Sequence, residues 1–239
     1  VTLSEQSGAA GTLANSTIAA SSFTAGVATI SASSTSPKFT YTSKETSNST
    51  IILRATDSDP VSGAATSSGY DATLALRSGR LKLFNAFGSE KSNLIVNAQI
   101  QYWNGRTWIL NNADTCTTSI PSAAIGLSGY LDNKGSATAS WATSASALTF
   151  TGGNGSLTVS APTPSGTTGS VDLAINLGST SADQSCLSTH PSSTGANLSY
   201  LRANNGGCAS SNDRDPSARI TFGVFSPETR KLVHIRELH

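Results

Sequence analysis

Residues 79–110, GRLKLFNAFGSEKSNLIVNAQIQYWNGRTWIL, combine the densest hydrophobic alternation in the chain with its sharpest turn signal. From residue 94 to residue 103 every second side chain is suited to a core, which is the two-residue period of a half-buried β-strand. The predicted inward face holds Val96, Ala98, Ile100 and Tyr102. The pair Asn104-Gly105 then predicts a tight turn in which both residues take positive φ. The stretch therefore predicts a strand, a loop and a β-hairpin.

The same period recurs along the chain, with clear examples at residues 156–160 and 171–177. Ser, Thr, Ala, Gly and Asn fill the polar positions, which favours strands and turns over helices. No helix of ordinary length is apparent. The predicted fold is all-β, an antiparallel, immunoglobulin-like β-sandwich in two β-rich parts.

Residues 57–69 are rich in Pro, Gly and Ser and are the best boundary in the chain. We expect residues 1–58 to form an N-terminal immunoglobulin-like segment and residues 70–239 a C-terminal β-sandwich domain. The first segment has fewer strand candidates than the roughly seven of an immunoglobulin-like sandwich. It either shares the core of the C-terminal domain or offers an open edge that another chain fills. A candidate strand-exchange arm lies within residues 1–20 and carries the apolar residues Val1, Leu3, Leu13 and Ile18.

Charge argues against a nucleic-acid partner. Only 12% of residues are charged and the net charge is +1, so no cluster of Lys and Arg marks a surface for DNA, RNA or anionic lipid. No apolar run reaches the 18 residues of a membrane-spanning helix. The sequence opens on Val1 and contains no Met, which suggests a processed or excised portion whose initiator Met and any signal peptide have been removed.

The chain has 3 cysteines. Cys186 and Cys208 bracket a loop rich in Ser, Gly and Asn, and a disulfide between them would restrain that loop. Cys116 is then unpaired, although the sequence also allows it to pair with Cys186 or Cys208. A zinc site is disfavoured because no Cys-x-x-Cys or paired His accompanies the cysteines.

No set of residues predicts catalysis, a cofactor or a metal. The histidines are His190, His234 and His239, and a Ser-His-Asp arrangement has little weight in a chain so rich in Ser. Two Asp-x-Asp pairs could offer oxygen atoms to calcium, but Asp before Ser or Pro is also ordinary turn chemistry. These pairs are Asp57 with Asp59 and Asp213 with Asp215. Trp103 and Trp108, which flank the predicted turn, are the candidate contacts for a partner surface or a glycan, because a wide aromatic face suits a sugar ring.

Three motifs carry a resemblance to a known family: GRLKLFNAFGSE, QYWNGRTW with NNADTCT, and DPSARITFGVFSPETRKLVHIREL. They resemble the C-terminal domain of MshQ-like proteins, which are large exported proteins associated with a mannose-sensitive type IV pilus. The resemblance implies an extracellular, β-rich module of a pilus-associated or cell-surface protein, and it supplies no catalytic residues.

Several hypotheses about function compete. The leading hypothesis is a non-enzymatic structural or adhesive module that binds other protein chains, with a glycan as a further candidate partner. The alternatives are a subunit that self-assembles into an extracellular filament by strand exchange, or a carbohydrate-binding adhesin. A surface hydrolase is the remaining class, and it would need a cleft with a perturbed His or carboxylate pair.

Overall fold

The computed structural model describes residues 1–31, 35–42, 49–57, 71–115, 117–205, 208 and 213–223. Within these residues the chain is built from β-strands, with short 3₁₀ helices at Ala20–Ser22, Ser122–Ala124 and Ser199–Leu201 and no α-helix. The predicted all-β sandwich class is confirmed. The chain divides into two compact units, one formed by Val1–Gly79 with Tyr102–Ile109 and the other by Arg80–Gln101 with Leu110–His239.

The first unit contains three small antiparallel sheets. Its strands are β1 (Thr2–Glu5), β2 (Gly11–Ala14), β3 (Phe23–Thr24), β4 (Val27–Ala28), β5 (Lys38–Tyr41), β6 (Ser49–Thr56) and β7 (Ala72–Leu76). The largest sheet has the order β1-β6-β7, while β2 pairs with β5 and β3 with β4. Strand β7 therefore lies with the first unit, whereas the sequence assigned everything from residue 70 to the second domain.

The first unit has little core. Among its described residues, Ile51 is the only fully buried apolar side chain, with 1% of its surface exposed. Leu74 pairs with Ile51 across the sheet but is 45% exposed, because β7 is an edge strand. The alternating leucines of residues 70–84 predict that Leu74 points into a core, and the exposure of its side chain shows that this prediction was wrong.

A carboxylate closes the end of β1. Glu5 accepts hydrogen bonds from the hydroxyl and N–H of Ser7 and from the N–H groups of Gly8 and Ile52. The Ser7 hydroxyl is the main cause that lowers the pKa of Glu5, and it outweighs the opposing effect of desolvation. This part of the first unit is therefore held together by an ionised group.

The second unit contains the remaining strands, which are β8 (Gly79–Leu83), β9 (Ala86–Gly88), β10 (Leu94–Trp103), β11 (Trp108–Leu110), β12 (Ser119–Ile120), β13 (Ile125–Asp132), β14 (Leu148–Thr151), β15 (Asn154–Val159), β16 (Gly169–Ile175) and β17 (Ser217–Phe222). Strand β10 continues beyond Gln101, so that its last residues and the turn after it belong to the first unit. One sheet has the order β11-β10-β15-β14-β12, with β8 also paired to β10. The other has the order β13-β16-β17-β9, in which β9 runs parallel to β17.

The core of the second unit forms because alternate residues of these strands are apolar. Val96, Ala98 and Ile100 of β10 are at most 2% exposed, which confirms the predicted inward face, while Tyr102 at the end of that face is half-buried. The other core side chains include Leu81, Leu83, Leu148, Leu157, Val159, Val171, Leu173, Ile175, Ile220 and Phe222. Burying a side chain of this size contributes roughly 1.5–3 kcal/mol.

The sequence also predicts a weak strand at residues 136–141 and a strand at residues 23–31, and both predictions were wrong. Residues 136–141 form no strand, although Trp141 is buried and its ring N–H donates to the Leu131 carbonyl over 3.3 Å. Residues 23–31 do not form one strand, because the chain reverses at Ala25 and Gly26, both with positive φ, between β3 and β4. The sequence also predicts a final hairpin at residues 219–238, of which only the part within β17 and up to residue 223 lies in the described residues.

Candidate functional site

The turn between β10 and β11 was predicted to have positive φ at both Asn104 and Gly105, and the structure has it at only one of them. Only Gly105 takes a positive φ, of 93°. The Asn104 N–H donates to the Thr107 carbonyl over 3.1 Å. The Asn104 side-chain oxygen accepts from the N–H groups of Arg106 and Thr107 at 2.9 and 2.8 Å. Asn104 thus acts through its amide group, and Gly105 and Arg106 are the central residues of the turn.

This turn brings the predicted aromatic residues together. The ring centroids of Trp103 and Trp108 are 5.5 Å apart in an edge-to-face arrangement, and both rings are half-buried. The guanidinium of Arg77 stacks on the ring of Tyr102, with its central carbon 4.3 Å from the ring centroid. Edge-to-face aromatic pairs and a guanidinium stacked on an aromatic ring are both favourable contacts, so they stabilise this arrangement of the rings.

The cluster Trp103, Trp108, Tyr102 and Arg77, which we call the aromatic hairpin, offers apolar ring surface beside the exposed polar groups of the turn. That combination suits a ligand with one apolar face and several hydroxyl groups. Phe87, also aromatic and 79% exposed, lies on β9 of the second unit.

A buried ion pair fixes the long loop between β16 and β17. Asp215 is fully buried, and its carboxylate accepts from the Arg202 guanidinium at 2.7 and 3.1 Å. The same carboxylate accepts from the N–H groups of Leu177 and Gln184 at 3.1 and 2.8 Å. Both oxygen atoms are therefore occupied by N–H donors, which leaves Asp215 unsuited to bind calcium.

The disulfide closes the same loop. Cys186 is bonded to Cys208, the pair that the sequence predicted, with their Cα atoms 5.5 Å apart. Cys116 lies outside the described residues.

Part of this loop also packs on β13. The Ser128 hydroxyl donates to the Thr189 carbonyl over 2.7 Å, and a side chain at Gly126 would meet the Pro191 ring at 2.3 Å. Gly126 is thus required for close contact.

His190 joins a cluster within the loop but not in the order of a catalytic triad. Its Nδ1 lies 3.0 Å from a carboxylate oxygen of Asp183, and its side chain is 52% exposed. The Ser185 hydroxyl donates to the same Asp183 oxygen at 2.6 Å instead of to the imidazole. A nucleophilic Ser needs the imidazole as its base, and in this cluster the Ser185 hydroxyl bonds to the carboxylate instead.

The N-terminal arm is paired within its own chain. Strand β1 lies beside β6, and Leu3 donates from its N–H to the Ser16 carbonyl at 2.7 Å. Val1 and Ile18 exchange hydrogen bonds at 3.1 and 2.8 Å. Leu13 lies on β2, which pairs with β5. Strand exchange stays a prediction, and it would require these bonds to form between chains.

The other candidate residues do not converge. Among the described residues, no group of three or more His, Cys, Asp or Glu side chains is placed to hold a metal ion. Asp213 is exposed, and Asp59, His234 and His239 lie outside the described residues.

No helix in the described part of the chain is long and apolar enough to cross a bilayer.

Comparison of the sequence with known protein families gives a match. A model described as "DUF6701, fourth domain" matches residues 77–238, so the chain belongs to the DUF6701 family. The match begins near β8 and covers the sandwich of the second unit together with its disulfide loop. No curated protein matches the chain, and no solved structure matches it.

Proposed function

We propose that this chain is a non-enzymatic structural or adhesive module of an exported bacterial protein that acts at the cell surface. The observation that carries the proposal is the disulfide between Cys186 and Cys208 within an all-β sandwich. Disulfides persist in oxidising compartments and are rare in the cytosol of most organisms, so the bond favours an exported location. The low charge and the resemblance to the MshQ-like, pilus-associated proteins support the same location.

Adhesion or scaffolding also agrees with the interior of the second unit. Its long loop is held by an ion pair, a disulfide and contacts with β13, and the His190 cluster uses its hydrogen bonds within the loop. These contacts favour a rigid surface over a cleft that opens to a substrate. A module of this kind acts through the shape of its surface.

Competition for attachment tests this proposal. Cells that make the parent protein are allowed to attach to a surface in the presence of the purified, oxidised chain. If the chain is adhesive, it competes for the attachment sites and lowers the number of bound cells. In a second arm, cells that make the parent protein without residues 77–238 should attach in small numbers even when no chain is added. Unchanged attachment after that deletion, with the truncated protein still exported at its normal level, would contradict the proposal.

The aromatic hairpin favours a second candidate, a carbohydrate-binding adhesin. Its Trp103 and Trp108 rings lie next to an exposed turn, where a pyranose ring could stack on one indole and bond to the polar groups of the turn. The charge of the chain, close to zero, also suits an uncharged ligand.

A glycan array followed by titration tests this second candidate. Trp103→Ala is expected to weaken binding about tenfold, since losing one stacked aromatic contact is worth about 1.4 kcal/mol. Phe87→Ala is the matched control because it removes an exposed aromatic ring from the other unit. Equal loss in both variants, or no binding to any glycan, would rule out the hairpin as the site.

A further inference from the structure

Strand β7 is a sheet edge without a neighbour among the described strands. One side of β7 pairs with β6, and no other described strand pairs with the opposite side. The strand reads ATLAL and contains no charge and no Pro, and its register with β6 runs without a bulge. Residues 72–75 are exposed. Soluble proteins normally protect such edges with charged residues, Pro or bulges, so an edge without them is suited to pairing with another strand.

Symmetry limits how β7 could pair with β7 of a second copy. In an antiparallel pair, two residues directly opposite each other have side chains on the same face of the sheet and the same hydrogen-bonding pattern. A two-fold axis between two identical strands must therefore lie where a residue is opposite the same residue of the other copy. Only a two-fold axis at Leu74 places every residue of β7 opposite a residue of β7 in the other copy. Ala72 then lies opposite Leu76, and Thr73 opposite Ala75.

The residues that flank β7 have complementary charges in this register. One step beyond the strand at each end, Asp71 lies opposite Arg77 of the other copy, and symmetry repeats this pair. Both side chains are already held in place. Both oxygen atoms of Asp71 accept from Arg54, at 2.8 and 2.7 Å, and the Asp71 side chain is 8% exposed, so Arg77 of the other copy would approach one edge of this ion pair. Arg77 itself stacks on Tyr102. Opposite charges across strands stabilise pairing, whereas a parallel arrangement would lose this match.

We propose that β7 is a self-association edge through which two copies of this chain pair antiparallel, with Leu74 on the two-fold axis. The two three-stranded sheets become one continuous sheet, and the exposed Leu74 side chains cover each other beside Ile51. This pairing goes beyond the proposed function, because it does not depend on what the module binds.

The dimer should be weak. The pairing joins five residues of each β7, so the contact falls below the roughly 1,200 Å² typical of stable interfaces. We expect dissociation in the micromolar to millimolar range. Attachment of many copies to one surface would raise their effective concentration and favour pairing.

Sedimentation equilibrium of the full chain, from about 10 µM to about 1 mM, tests the association. The expected result is a monomer–dimer equilibrium that Arg77→Asp weakens at least fivefold, because the introduced carboxylate faces Asp71 of the other copy. Arg106→Asp makes the same charge change on the exposed turn of the same unit and should leave the equilibrium unchanged. Circular dichroism must show that both variants are folded. A monomer throughout the range, or equal effects of the two variants, would overturn the proposal.

Oxidative cross-linking tests the register. With Leu74→Cys, the two introduced thiols would face each other with Cα atoms about 4.5–5.5 Å apart, within disulfide range. With Thr73→Cys, the thiols would be about 8 Å apart and should not join. Mass mapping of the cross-linked peptide separates these bonds from any that involve native cysteines. Cross-linking through Thr73→Cys in preference to Leu74→Cys would refute the Leu74 axis.

Discussion

Asp215→Ala should be among the most damaging single substitutions in the second unit. The carboxylate is fully buried and receives hydrogen bonds from Arg202, Leu177 and Gln184, so it links the end of β16, the disulfide loop and the start of β17. Its removal leaves the Arg202 guanidinium, only 13% exposed, without its counter-charge. Two backbone N–H groups lose their acceptor at the same time.

The expected loss of unfolding free energy is about 3–5 kcal/mol, the range measured when one partner of a buried ion pair is removed. Asp213→Ala removes the same group from an exposed position two residues away, and its effect should stay within about 0.5 kcal/mol. Urea unfolding measures both. Replacing Trp103 and Trp108 with Phe leaves Trp141 as the only fluorescent tryptophan, so that the signal reports on the second unit.

A double-mutant cycle separates the ion pair from the two backbone hydrogen bonds. Asp215→Ala combined with Arg202→Ala should destabilise the unit by less than the sum of the single variants, because no unpaired charge remains. If Asp215→Ala matched Asp213→Ala in urea, the carboxylate would not be the anchor of this loop and the reasoning would fail.

Three further substitutions test other contacts. Replacing Cys186 and Cys208 with Ser should lower stability by about 3 kcal/mol from the loop-closure entropy of their 22-residue separation, and an unchanged urea midpoint would contradict this estimate. Gly126→Ala inserts a methyl group into the proline ring that covers it, so we expect a loss of about 1–3 kcal/mol by thermal unfolding; a neutral effect would show that the loop yields there. The pKa of Glu5 is lowered chiefly by the Ser7 hydroxyl, so its contribution to stability is present above its ordinary value of 4.5 and is lost as pH falls through the lower folded value. Glu5→Gln should remove this pH dependence in amide exchange of the first unit, and a persistent dependence would assign it to another group.

The alternation of apolar and polar residues predicted which face of a single strand is buried. Val96, Ala98 and Ile100 are buried as their period indicates, because a two-residue period has only one way to place its apolar face on a core. Leu74 has the same kind of pattern yet is exposed, since its burial depends on whether another strand lies beside β7. Periodicity does not record the order of strands in a sheet.

Features of the candidate site that depend on neighbouring residues in the sequence were predictable, and those that depend on distant residues were not. The turn signal located Trp103 and Trp108 on one hairpin, and the polar composition of the long loop indicated its disulfide. The Asn104 prediction failed because its side chain competes with the backbone for the N–H groups of the turn, which an Asn-Gly pair alone does not reveal. The Asp215 anchor was missed because Arg202 is remote in sequence, although the Asp-Pro step after a long loop was a usable signal.

The parallel pairing of β9 with β17 has a consequence for the order of events during synthesis. Residues 86–88 cannot pair until residues 220–222 have been made, and Asn85 accepts from the Arg219 N–H across 134 positions of chain. Contacts of such long range slow folding, since a large loop must close before they form. Until β17 emerges, the hydrogen-bonding edge of β16 that it will occupy is open. A nascent chain therefore exposes that edge to aggregation for longer than a helical protein of the same length, whose contacts are mostly local.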